Sequence, residues 1–117
     1  MKINLRRDSV ANGDDVGTAI TLDISSTMSV LDFIHFIQRS FITRNLWMAK
    51  YVVYGGYTQD ICDIPLLVIN TESNKVDVVH DLLQNWGWPP YIYFHYLTPY
   101  WEKKYPISFE VKETFTI

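Results

Sequence analysis

The feature that most constrains this chain is a well-marked amphipathic helix directly behind two alternating segments. Ser29-Val30-Leu31-Asp32 fits a capping box, with Ser29 at the N-cap and Asp32 placed to reach back to its amide. Met28 and Phe33 stand where a hydrophobic staple falls. Val30, Ile34, Ile37 and Phe41 recur at helical spacing, and Asp32 and Arg39 suit the two ends of the helix dipole. The pattern predicts a helix over about 29–42, ending near Arg44-Asn45.

The segments ahead of it alternate with period two. Ile3 and Leu5 face away from Lys2, Asn4 and Arg6, and Ile20, Leu22 and Ile24 face away from Thr21 and Asp23. Asn12-Gly13-Asp14-Asp15 between them is a strong turn signal, so the two segments read as an antiparallel hairpin with a long loop. Behind the helix, residues 47–54 are β-branched and aromatic and stop at Gly55-Gly56, which reads as a third strand. Ile64-Pro65-Leu66-Leu67-Val68-Ile69 is a continuous apolar run, as expected of a strand covered on both faces. Ser73 or Asn74 can cap a second helix whose stripe is Val76, Val79, Leu82, Leu83 and Trp86, ended by Gly87 and Pro89-Pro90. Residues 91–97 make a fifth strand, and the parity of Ile107, Phe109, Val111, Phe115 and Ile117 makes a sixth.

The expectation is therefore one α+β domain over residues 1–117, in the order β-β-α-β-β-α-β-β, with a mixed or antiparallel sheet of five to six strands and two helices. A hairpin followed at once by a helix that must cross the sheet resembles the opening of a ubiquitin-like β-grasp, over about residues 1–97. The resemblance lies in element order alone. The chain departs from conjugated modifiers of that kind, because Thr114-Phe115-Thr116-Ile117 stands where a diglycine tail would be. A conjugation role has no support from it.

Composition narrows the setting. An apolar share of 48% and an aromatic share of 15% exclude a disordered chain. The first eight residues hold no apolar h-region, and no stretch approaches the length of a membrane span. A single cysteine, Cys62, excludes an internal disulfide framework, and together these features favour the cytoplasm. Net charge is −3, but residues 51–101 hold Asp60, Asp63, Glu72, Asp77 and Asp81 against Lys75 alone. That stretch repels nucleic acid, which needs clustered Lys and Arg, and suits a basic protein partner.

The chemistry-bearing residues do not assemble into a motif. His35, His80 and His95 stand 45 and 15 residues apart, without the short ligand pairs of a zinc site, so neither a metal nor another cofactor is expected. Cys62 with Asp63 and His80 or His95 is the available nucleophilic set, and nothing around Cys62 carries a catalytic signature. Ser25-Ser26-Thr27 lacks the G-x-S-x-G elbow, and Gly55-Gly56 leads into Tyr57-Thr58-Gln59-Asp60 rather than a phosphate loop.

One region is unusual. Trp86, Trp88, Tyr91, Tyr93, Phe94, Tyr96, Tyr100, Trp101 and Tyr105 fall within twenty residues. On a strand over 91–97, Tyr91, Tyr93, His95 and Leu97 share one face and Ile92, Phe94 and Tyr96 the other. These aromatics suit a packed core and a binding surface equally. The functional expectation is a small non-enzymatic protein-binding domain, of inhibitor or immunity type, that neutralises a basic partner such as a nuclease toxin. Its candidate contact residues are Trp88, Tyr91, Tyr93, Tyr100 and Trp101 with Asp60, Asp63, Asp77 and Asp81. The protein itself is expected to be a monomer or a weak homodimer. The alternatives are a β-grasp-like adaptor module and an enzyme with a diffuse Cys/His site.

Overall fold

A computed structural model describes residues 1–8, 19–25, 28–40, 50–81, 87–97, 99–104 and 108–116. Its elements are β1 (Lys2–Arg7), β2 (Ala19–Asp23), α1 (Val30–Ser40), β3 (Lys50–Gly56), β4 (Ile64–Asn70), β5 (Lys75–Val78), β6 (Tyr91–Leu97), α2 (Pro99–Lys104) and β7 (Glu113–Thr116). The strands form one mixed sheet in the order β2-β1-β6-β3-β4-β5-β7. Among the described residues, only the β1–β6 pair is parallel. Because β1–β2 and β6–β3 are both antiparallel, β2 and β3 run the same way, and α1 is the crossover that joins them.

The period-two patterns put their apolar members on a single face. Ile3 and Leu5, Ile92 and Phe94, Tyr51 and Val53, Leu67 and Ile69, and Val76 and Val78 pack there with Val30, Phe33, Ile34 and Ile37 of α1. Phe33 is fully buried, tilted against Phe94 and edge-on to Trp88, with ring centroids 6.4 and 4.7 Å away. The Ser29 cap is present: Ser29 Oγ accepts the Asp32 N–H at 3.0 Å, while the Ser29 carbonyl accepts the Phe33 N–H at 3.1 Å. The expected helix residues 41 and 42, the strand residues 47–49 and the 9–17 loop lie outside the described residues.

Four expectations are corrected. Among the described residues the sheet has seven strands rather than five or six. The segment expected to open a second helix is instead the strand β5, antiparallel to β4 with Ile69 opposite Val76. Val76 and Val78 are buried while Lys75 is exposed, a period-two pattern that overrides the helical spacing of Val76 and Val79. Ser73 and Asn74 belong to the turn between β4 and β5: Asn70 Oδ1 accepts the Glu72 and Ser73 N–H groups, and Asn74 takes the left-handed φ of 54°. The rest of the expected helix, 82–86, lies outside the described residues, and α2 comes after β6 rather than before it.

The third correction concerns the last strand, which is limited to Glu113–Thr116, with Val111 left exposed; residues 107 and 117 lie outside the described residues. The fourth concerns β4. A β-bulge adds one inward residue to its apolar run, since Val53 pairs with Leu67 and Tyr54 with Pro65, leaving Leu66 extra. Leu66 and Leu67 therefore both enter the core, and Val68 turns half-exposed to the opposite face.

The chain between β6 and β7 travels from the centre of the sheet to its edge. Along the way Glu102 of α2 pairs with Lys50 Nζ at 2.5 Å, and Ser108, Phe109 and Val111 line a pocket with Val68, Asp77 and Val79. This crossover lies on the face away from α1, where Val52 is fully buried.

Candidate functional site

The β1–β6–β3 part of that second face carries a connected set of polar side chains. Parallel pairing sets Asn4 beside Tyr91 and Arg6 beside Tyr93, and Tyr93 lies opposite Tyr54 of β3. Alternation explains the grouping: every second residue of β1 and β6 goes into the core, so Asn4, Arg6 and Asp8 are left with Tyr91, Tyr93 and His95.

Asp8 sits just past the end of β1 and extends the ladder with its side chain. Its Oδ2 accepts the Tyr96 N–H at 3.0 Å and lies 2.9 Å from His95 Nδ1, while its Oδ1 accepts the Tyr93 hydroxyl. A carboxylate only accepts, so this pairing places the His95 proton on Nδ1. The Asp8 backbone N–H also donates to the Phe94 carbonyl at 3.1 Å. Burial, followed by the hydrogen bond to Asp8 and the charge of Asp8, pushes the Tyr93 phenol well above the ordinary tyrosine value; Arg6 acts against it. The Arg6 guanidinium carbon lies over the Tyr93 ring, 4.7 Å from its centroid.

The loop from Tyr57 to Asp63 borders this face. It doubles back so closely on Gly56 that a Cβ there would collide with the Ile61 carbonyl and press on Cys62, so the position requires glycine. Gln59 and Cys62 from this loop, with Asn4, Arg6, Thr21 and Tyr91, line a pocket of about 340 Å³. Burial raises the Cys62 thiol pKa; the Arg6 charge lowers it and the Asp63 charge adds to the rise. No histidine is among the described residues lining this pocket, so the Cys/His set of the enzyme alternative is not gathered there. Among the described residues, no group of three or more His, Cys, Asp and Glu side chains is placed to hold a metal ion.

The candidate contact residues separate into distinct places. Tyr91 and Tyr93 lie half-buried on the second face, and Asp60 and Asp63 are exposed on the adjoining loop. Trp88 is 5% exposed and packed on Phe33, so its ring belongs to the core. Asp77 stands across the sheet on β5, accepting from Thr114 Oγ1 at 2.8 Å, and Asp81 is exposed beyond that strand. Tyr100 and Trp101 lie in α2, and their side chains are outside the described set. Sequence reasoning missed Arg6, Asp8 and Tyr54, whose roles depend on strand pairing. It also missed Tyr57 and Ile61, which are 63% and 59% exposed. No helix among the described residues is long and apolar enough to cross a membrane. Compared with known proteins, the chain matches no family model, no curated protein and no solved structure.

Proposed function

We propose that this chain is a protein-binding domain that docks a basic partner through the 57–63 loop and the adjoining tyrosines of the second face. The observation that carries the reading is the loop itself. Tyr57 and Ile61 present large apolar side chains to solvent within a segment that also exposes Asp60 and Asp63. Exposed apolar anchors beside like charges are the makings of a steered interface, in which charge speeds encounter and the anchors hold the complex. Tyr91 and Tyr93 extend that surface, and the hydrogen bonds of Asp8 fix Tyr93 before any partner arrives, which lowers the entropy lost on binding.

The role that suits such a surface is blockade of a basic, nucleic-acid-binding partner, in the manner of an inhibitor or immunity protein. In this reading the protein acts by occupancy rather than by chemistry. The raised thiol of Cys62 supports that, because a thiol held protonated is a poor nucleophile. The test is affinity capture from the native source with the natural chain and with a Tyr57→Ala, Ile61→Ala double variant. A partner captured by the first, lost by the second and bound more weakly as ionic strength rises supports the reading. A partner held equally by both chains, or indifferent to salt, refutes it.

Sheet topology favours one second reading. The order β2-β1-β6-β3-β4, with a parallel β1–β6 pair at its centre and α1 crossing from β2 to β3, supports a β-grasp frame extended by β5 and β7. As an adaptor such a frame would use its edge strand β2, and self-association that grows with concentration in gel filtration would favour that use.

A further inference from the structure

We infer that the pocket between β1, β2, β6 and the 57–63 loop is a binding site for a small organic carboxylate with a flat, ring-sized body, recognised by Arg6. Arg6 is the one charged residue among the described residues lining the pocket, and it makes no ion pair among them. Its guanidinium lies over the Tyr93 ring, which occupies the flat face of the group and leaves its in-plane N–H donors available. Those donors form the fork that holds a planar carboxylate by two parallel bonds.

The rest of the lining fits the same ligand. Asn4 is held at both ends: its Nδ2 donates to the Pro90 carbonyl at 3.3 Å and its Oδ1 accepts from Thr21 Oγ1 at 3.1 Å. The floor is thus set before binding. Tyr91 offers a half-buried ring for a flat ligand body to lie against, and Gln59 adds an adaptable amide. The Cys62 thiol, held protonated, forms a soft wall without negative charge to repel an anion. Asp60 and Asp63 are on the same loop but do not line the pocket. The volume, about 340 Å³, lies at the small end of ligand pockets and leaves room for a single ring bearing a carboxylate.

This site does not rest on the protein-docking reading, which depends on Tyr57 and Ile61. Benzoate is the probe, with benzamide as its uncharged counterpart and inorganic phosphate as a tetrahedral anion. Benzoate is expected to give saturable amide NMR shifts centred on Asn4, Arg6, Thr21, Gln59 and Tyr91, and benzamide none. Cys62 is the only cysteine, so its alkylation by iodoacetamide reads the same pocket independently and should slow when benzoate is bound. In Arg6→Gln, checked for a native spectrum, affinity should fall by roughly ten- to a hundredfold, the loss of one charge-assisted pair. Arg6→Lys should fall between the two, since it keeps the charge without the fork. Unsaturable benzoate shifts, equal binding of benzamide, undiminished binding to Arg6→Gln or tighter binding of phosphate would each overturn the assignment.

Discussion

Replacing Asp8 by alanine should destabilise this fold by about 2–3 kcal/mol, and replacing it by asparagine by only about 1 kcal/mol. The natural carboxylate accepts from the Tyr93 hydroxyl, His95 Nδ1 and the Tyr96 N–H. Each such bond contributes on the order of 0.5–1.5 kcal/mol net, more when one partner is charged. The Asp8 and His95 side chains are 32% and 43% exposed, so water replaces part of what alanine removes, which sets the figure below the simple sum. Asparagine can keep its carbonyl oxygen on His95 and Tyr96 and turn its amide towards the Tyr93 hydroxyl, which is able to accept. Urea unfolding followed by tryptophan fluorescence, compared at equal m-values, measures the difference. If alanine costs less than about 0.5 kcal/mol, or asparagine as much as alanine, the carboxylate does not join β1 to β6 as argued.

Three other substitutions bear on the same face and its loop. Tyr93 keeps its proton in the folded state above the ordinary tyrosine value near 10, so its stabilising contribution is complete below about pH 10 and is lost as pH rises through the folded value. Tyr93→Phe should therefore flatten the fall of stability on the alkaline side of about pH 10, and an unchanged slope would show that another group sets it. Gly56→Ala drives a Cβ into the Ile61 carbonyl, so it should cost about 2–3 kcal/mol by denaturant midpoint. Gly55→Ala meets mainly the Pro89 and Leu66 side chains and should cost less; equal costs would refute the backbone-collision account.

Much of the fold was legible because it is written in short-range patterns. Alternation in Lys2–Arg7 and Ala19–Asp23 marked two strands together with their inward faces, Tyr91–Leu97 was marked as a strand with its inward face left open, and the Ser29 cap marked α1. The misreading at 75–78 has a definite cause. A four-residue segment holding Val76, Val78 and Val79 satisfies both periods, and pairing with β4 on one side and β7 on the other decides for a strand. The Leu66 bulge is invisible for a similar reason, since an unbroken apolar run looks the same whether a strand is covered twice or bulged once.

The candidate site was less legible than the fold. Tyr91, Tyr93, Asp60 and Asp63 could be picked out by residue type, but nothing near Trp88 in the chain distinguishes its buried ring from the others. Asp8 and His95 stand 87 positions apart, and Arg6 meets Tyr93 only through the parallel register of β1 and β6. By itself the sequence determined which residues turn inward along β1 and β2 and where α1 begins, because alternation and capping are properties of neighbours in the chain. Beyond the β1–β2 hairpin, the tertiary structure alone decided which strands lie side by side, and hence that Arg6, Asp8, Tyr93 and His95 share one surface. That choice depends on closing long loops around a common apolar face, a free energy belonging to the whole sheet and to no single segment.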